Sequence, residues 1–443
     1  MSSTLIKSNT KLEFEDIKKI YTSGFKNKTD LKVGIEYERL PVYDDSYCAA
    51  SYYNQNGICE FLRAFARKEN WDYITDNLDI IGLKQGHTTI TLEPGCQTEF
   101  SIEPKNSISE LKAKIDELDS KIIPVLNNFG IKFLNYGISP VSTYKNIKLI
   151  PKKRYHIMAN YLWGILSDVM MRETAGIQGT FDFTSEEDCI EKFKIANMLS
   201  PFMTALFANS PIRGGVDTGY KSFRALSWLN TDNDRCGFCC NFDNNYSFDE
   251  YIDYIMNIPM LFIARDNEEI VIDGKISFKE FMDRGFNNHI ANLDDYLLQA
   301  NLAFPEVRIR NFIEVRNHDC GNKESIYAML AIYKGILYNK SAREKVLSLF
   351  KNRKFNEFAE LRYNIPRYAT ESLFNGAKIK DYIKEIVNIA KISLKEQSND
   401  EEKYIEPIES LVTEGISPAD IILKNWYGSW DKDINKLIKY ISE

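Results

Sequence analysis

The chain has 443 residues, 44% of them apolar and 27% charged, with a formal net charge of −7 and a pI near 5.5. That is the composition of a folded globular protein, and it disfavours a binder of nucleic-acid phosphates. The most apolar stretch, Ile258 to Ala264, is far below the roughly 18 residues of a membrane span, and eight cysteines over this length are too sparse for a disulfide-held secreted scaffold.

Met1 to Asp30 mixes Lys, Ser, Thr and Glu, without the apolar core of a secretory signal and with too many acids for a transit peptide. A soluble cytoplasmic protein is expected. The next segment, Gly34-Ile35-Glu36-Tyr37-Glu38-Arg39, reads as a strand, and the period of two puts Glu36 and Glu38 on one face. Glu93-Pro94-Gly95-Cys96-Gln97 then makes a turn before a second strand whose Gln97, Glu99, Ser101 and Glu103 share a face. Asn106 to Gly130 is predicted as an amphipathic helix, opened by a Ser107/Glu110 capping box and carrying Leu111, Ile115, Leu118, Ile122 and Leu126 at helical spacing. Gly176 to Phe183 alternates as a strand, with Gln178, Thr180 and Asp182 on one side. Ser185 with Asp188 forms a second capping box, opening a helix that runs towards Asn209-Ser210-Pro211.

Gly214-Gly215 reads as a flexible loop, since no phosphate-loop pattern surrounds it. Arg224 to Gly237 sets two arginines beside Trp228 among turn formers. It is either a surface loop with an Asx turn or a ligand-binding loop in which Arg grips a carboxylate or phosphate. The cluster Cys236-Gly237-Phe238-Cys239-Cys240 lacks a second pair at zinc spacing and reads as buried thiols. A third polar strand is expected over Pro305 to Arg316, with Glu306, Arg308, Arg310, Glu314 and Arg316. From Lys323 the pattern is mostly helical, with a polar break at Gln397 to Lys403. No repeat or long linker divides the chain, so residues 1–443 are expected to form a single α+β domain in which distant strands assemble one sheet backed by helices.

Carboxylates converging on a partly buried sheet repel and resist ionisation unless Mg2+ or Arg compensates them, so the three polar faces point to a metal and phosphate site. His87, His156, His289 and His318 are isolated. No Ser-His-Asp or Cys-His arrangement stands out, which disfavours hydrolysis through a protein nucleophile.

At these residues the chain resembles the glutamate-cysteine ligases of plant and proteobacterial type. The matching pieces are Gly34 to Glu38, Glu93 to Glu99, Met171-Arg172-Glu173-Thr174 leading into Gln178 and Asp182, Asn209-Ser210-Pro211, Arg224 to Gly237, Pro305 to Arg308 with Glu314-Val315-Arg316, and Pro418-Ala419 followed by Trp426-Tyr427-Gly428-Ser429-Trp430. The resemblance implies a glutamine-synthetase-like catalytic fold, an antiparallel β-sheet bowl backed by helices and carrying ATP, Mg2+ and amino acids. It also implies ATP-dependent ligation of glutamate to cysteine through a γ-glutamyl phosphate, the first step of glutathione-type thiol biosynthesis, with small molecules as partners and a monomer or homodimer as the assembly. On this resemblance Glu36, Glu38, Glu93, Glu99 and Glu314 are the metal ligands. Arg224, Arg235, Arg308 and Arg316 hold the triphosphate, the acyl phosphate or a substrate carboxylate, and Gln178, Thr231 and Trp228 line the amino-acid pockets. Glu38, Arg235 and Arg316 are the catalytic set.

The chain departs from the family pattern at Cys96, where a second Gly is usual and altered turn geometry is expected. It departs again around Glu173 to Thr180, on the acceptor side of the pocket. A ligase of the same class using another amine, and a non-catalytic nucleotide-sensing relative, are the rival readings.

Overall fold

The computed structural model describes residues 12–442 apart from 267, 398 and 399. The first eleven residues of the N-terminal segment and part of the Gln397 to Lys403 break therefore lie outside the described residues.

Nine strands form one sheet: β1 (Val33–Tyr43), β2 (Asp72–Asp76), β3 (Asp79–Gln85), β4 (Thr88–Leu92), β5 (Thr98–Lys105), β6 (Ile131–Leu134), β7 (Gly176–Phe181), β8 (Val307–Ile309) and β9 (Ile313–Asp319). The order is β8-β9-β7-β1-β5-β4-β3-β2, with β6 also paired to β1, and every pairing is antiparallel. The long central β1 pairs with β5 and β7 along its first part and with β6 over Leu40 to Tyr43. Register then decides which side chains meet. Glu36 stands opposite Ser101 and Gln178, Glu38 opposite Glu99, and Glu314 opposite Thr180.

The opposite face of β1 belongs to the core. Tyr37 stacks on Phe100 with ring centroids 5.0 Å apart, and the guanidinium of Arg39 donates to both carboxylate oxygens of Asp119 at 2.8 and 3.2 Å. Asp119 sits on the helix Ile108–Asn127, whose Leu111, Ile115, Leu118 and Ile122 are buried and pack the helix on β1 and β5. Its capping box forms as the sequence requires: Glu110 N–H donates to Ser107 Oγ at 3.2 Å and Ser107 N–H to Glu110 Oε2 at 3.1 Å. Ser185 likewise caps Glu186–Leu206, accepting from Asp188 N–H at 3.2 Å. The Asp188 carboxylate does not complete that box, because it takes Thr184 N–H and the buried Lys192 instead.

Three local expectations change. Pro305 to Arg316 is a hairpin of two strands rather than one, closed by Arg310 N–H on the Phe312 carbonyl at 2.7 Å. Gly214-Gly215 is the tight turn of a small hairpin between Ile212–Arg213 and Val216–Asp217. Both glycines have positive φ, 59 and 78°, as that turn demands. Arg224 to Gly237 is a helix, Phe223–Leu229, capped by Ser222 and followed by a turn, so neither loop reading holds over its first half. The C-terminal part is mostly helical, through Lys323–Leu337, Lys340–Leu349, Phe355–Tyr368, Ile379–Glu396, Pro418–Tyr427 and Ile434–Ile441. Trp426 packs into a core there with Leu134, Tyr136 and Leu437.

Candidate active site

One face of the sheet is the floor of a cavity of about 320 Å3, lined by Glu36, Glu38, Glu93, Gln97 and Glu99 on one side and by Arg308, Arg310 and Arg316 on the other. Gln178 and Trp228 also line it. The walls come from the helices Lys153–Tyr161, Ser167–Glu173 and Leu293–Asn301, through Arg154, Tyr155, Met158, Met170, Met171 and Leu298.

The turn from Glu93 to Gln97 is held by Gln97. Its Oε1 accepts Gly95 N–H at 2.8 Å, and its Nε2 donates to the carbonyls of Met171 and Thr174 at 3.1 and 2.9 Å. Cys96 takes left-handed backbone geometry at the turn, with φ 72°. A side chain in that conformation costs about 1–2 kcal/mol.

Burial governs the acids. It raises the Glu36 carboxyl above its ordinary value, helped by the nearby charge of Glu314. Burial and Glu93 push Glu38 up to about 7. Burial followed by Glu36, Glu93 and Glu38 raises Glu99 well above the carboxylate range. Glu38 accepts Gly176 N–H at 2.6 Å, and Glu99 accepts from Thr91 Oγ1 at 3.0 Å and Gln178 Nε2 at 3.3 Å. These are half-buried carboxyls that the surrounding charges leave biased towards their neutral form.

Glu314 is different. Burial works to raise it too, but Arg308, Arg316 and Arg310 outweigh burial and hold its carboxyl far below the usual range. Arg308 Nε donates to it at 2.7 Å and Arg316 Nη1 at 3.1 Å, while Arg316 also reaches Gln178 Oε1. Both arginines stand on its Oε2, while its Oε1 is buried without a hydrogen-bond partner, so its place among the metal ligands stays a proposal.

Two other expectations are corrected. Arg235 is fully buried, with Nε on Asp232 at 2.7 Å and its other nitrogens on the carbonyls of Leu302 and Pro259 at 3.2 and 2.7 Å. It braces the chain outside the cavity, with each guanidinium nitrogen on a protein acceptor. Thr231 spends its hydroxyl on the Ser227 carbonyl at 2.8 Å, ending the Phe223–Leu229 helix. Arg224 and Trp228 line a smaller side chamber of about 40 Å3 that shares Trp228, Phe304 and Arg316 with the main cavity. Arg224 Nη2 donates to the Arg316 carbonyl at 3.0 Å, whereas Arg224 Nε and Trp228 Nε1 are buried without a hydrogen-bond partner.

Sequence reasoning missed Arg154 and Tyr155. Tyr155 donates to Glu93 Oε1 at 3.3 Å, and both residues arrive on a helix that no motif marks. The only local signal is the basic run Lys152-Lys153-Arg154.

An antiparallel sheet with helices behind it, and carboxylates and arginines lining one pocket on its face, are the fold shared with glutamine-synthetase-like ligases. More narrowly, the chain belongs to glutamate-cysteine ligase family 2, whose sequence model matches residues 32–439. It is 32% identical over 431 residues to the chloroplastic glutamate-cysteine ligase of Nicotiana tabacum, covering 96% of this chain and 82% of that one. It is 30% identical over 431 residues to ligase B, also chloroplastic, of Oryza sativa subsp. japonica, covering 96% and 86%. The fold is similar to that of a Francisella tularensis glutamate-cysteine ligase solved in complex with AMP, with a TM-score of 0.58 at 15% identity, covering 94% and 88% of the two chains. The expected cytoplasmic location is overturned by these relatives, which are chloroplastic enzymes. No helix among the described residues is long and apolar enough to cross a membrane.

Proposed function

We infer that the chain is an ATP-dependent ligase that phosphorylates the γ-carboxylate of glutamate and transfers the resulting acyl group to the α-amine of cysteine, giving γ-glutamylcysteine, ADP and phosphate. The carrying observation is the division of one cavity into an acidic side, Glu36, Glu38, Glu93 and Glu99, and a basic side, Arg308, Arg310 and Arg316. An oxyanion of the γ-carboxylate attacks the terminal phosphorus and ADP leaves. The cysteine nitrogen then attacks the acyl carbon, phosphate leaves and the nitrogen loses a proton. Both steps demand placement and charge neutralisation rather than a covalent protein nucleophile.

The arginines are suited to the phosphoryl oxygens, because Arg308 and Arg316 are fixed by Glu314 before any ligand arrives. Arg224 and Trp228 supply two N–H donors without partners, which suits them to the α-carboxylate of the donor amino acid. Gln178, joined to Arg316 and Glu99, links the two sides. Mg2+ fits the acidic side: Glu36, Glu38 and Glu99 are hard oxygen donors whose charged forms their surroundings disfavour, and with Glu93 they would hold it. When bound, it would neutralise phosphate charge and orient the terminal phosphoryl group. Among the described residues no three His, Cys, Asp or Glu groups are placed to hold a metal ion together, so these carboxylates would have to close up or act in pairs, with nucleotide oxygens supplying the remaining ligands. The treatment of residues 1–443 as one catalytic unit is supported by the spread of the cavity lining from Glu36 to Arg316.

The test is ADP release with glutamate and Mg-ATP fixed while amino acids are varied. Strong dependence on cysteine is expected; equal rates without it would remove cysteine as the acceptor.

A further inference from the structure

An ion pair whose basic member no motif announces contributes to the wall of the side chamber. Arg362, on the helix Phe355–Tyr368, donates through Nε to Glu306 Oε1, with side chains only 15 and 14% exposed. The guanidinium lies 5.8 Å from the centre of the Phe238 ring. It also sits so close to Gly237, at φ 101°, that a Cβ there would come within 2.7 Å of Nη1. The second oxygen of Glu306 takes the Ser200 hydroxyl.

The backbone of Glu306 is equally committed. Its N–H donates to the Gly237 carbonyl at 2.9 Å, and its carbonyl accepts Arg316 N–H at 2.9 Å. One residue thus ties together the Gly237 turn, the helix of Ser200, the helix of Arg362 and the strand that carries Arg316.

We propose that Glu306 and Arg362 are a positioning pair for the ligation, fixing where Arg316 stands in the cavity without touching the substrates themselves. This rests on the ligase reading. Arg316 bridges Gln178 and Glu314, so a displacement of its strand moves a charge that has to face the transferring phosphoryl group. Misplacement by about 1 Å can cost about 100-fold in rate. Because the pair lies in the wall of the side chamber, the competing account is direct contact with the donor amino acid.

Steady-state kinetics of Arg362→Gln, Glu306→Gln, the double variant and Arg362→Lys separate these accounts, with thermal unfolding measured alongside. The expected result for the neutral variants is a fall in kcat of about 10- to 100-fold, with the KM for glutamate, cysteine and ATP within about threefold of the parent. The double variant should be no worse than the worse single one, because the two side chains act as one unit. Arg362→Lys, which keeps a cation and is the safeguard should Arg362→Gln fail to fold, should recover part of the rate. A parental kcat per folded molecule with only a lowered melting temperature would overturn the proposal. A rise of tenfold or more in the KM for glutamate would do so too, in favour of direct contact. A parent chain that released no ADP with glutamate and cysteine would sink the ligase reading and the pair with it.

Discussion

Glu38→Gln should make the ligand-free protein more stable and the enzyme inactive. Burial and Glu93 raise the Glu38 carboxyl from 4.5 to about 7, a difference of about 2.5 units, which at about 1.4 kcal/mol per unit is about 3 kcal/mol. Since the folded-state value is the higher one, the ionised carboxylate costs stability once pH exceeds 4.5. The cost grows until about pH 7 and is complete above it. Glutamine retains an oxygen for the Gly176 N–H, although a neutral acceptor makes a weaker bond, so the gain expected at pH 8 is about 2 to 3 kcal/mol and at pH 5 about 1 kcal/mol or less. Urea unfolding of parent and variant in EDTA, without nucleotide, at the two pH values reads the difference directly. ADP release at pH 8 reads the loss of function. A variant less stable than the parent at pH 8, or a gain independent of pH, would refute the reasoning about burial; near-parental turnover would refute the place given to Glu38 in the reaction.

Mg-ATP should raise the melting temperature more at pH 8 than at pH 5.5, because protonated Glu36, Glu38 and Glu99 offer a cation little; an equal rise at both would count against these ligands. In Gly176→Ala the new Cβ would lie 2.4 Å from Arg224 Nη2, so the KM for glutamate should rise at least tenfold, and an unchanged KM would detach Arg224 from substrate binding. Asp119→Ala, which takes the carboxylate from the buried Arg39, should destabilise by about 3 kcal/mol while kcat per folded molecule stays at the parental level. Cys96→Gly relieves the left-handed strain but frees the unfolded chain and loses a buried side chain, so its unfolding free energy should stay within about 1 kcal/mol of the parent; a loss above 3 kcal/mol would mean that the thiol itself is needed.

The sheet face was legible because strand periodicity is local. Glu36, Glu38, Glu99 and Gln178 could be placed on faces from spacing alone, and pairing then set Glu38 against Glu99. Roles within a motif were not legible for the same reason turned round: spacing does not say whether an arginine meets a ligand or a protein carboxylate. Arg235 finds Asp232 three residues away and is lost to the site, while Arg316, with Glu314 beneath it, remains in the cavity lining. Arg154, Tyr155 and Arg362 reach the cavities from helices whose polar residues look like solvated faces. Only tertiary packing turns them inward.

On β1 the odd and even positions answer to different demands. Tyr37 and Arg39 lock the strand to what lies behind it, and Glu36 and Glu38 serve only what comes to the front. Substitutions on the front therefore alter the chemistry of the cavity at little risk to folding, whereas inserting or deleting a single residue would exchange the two sets and ruin both. Within such a strand, novelty has to arrive by replacement of letters rather than by changes in their number.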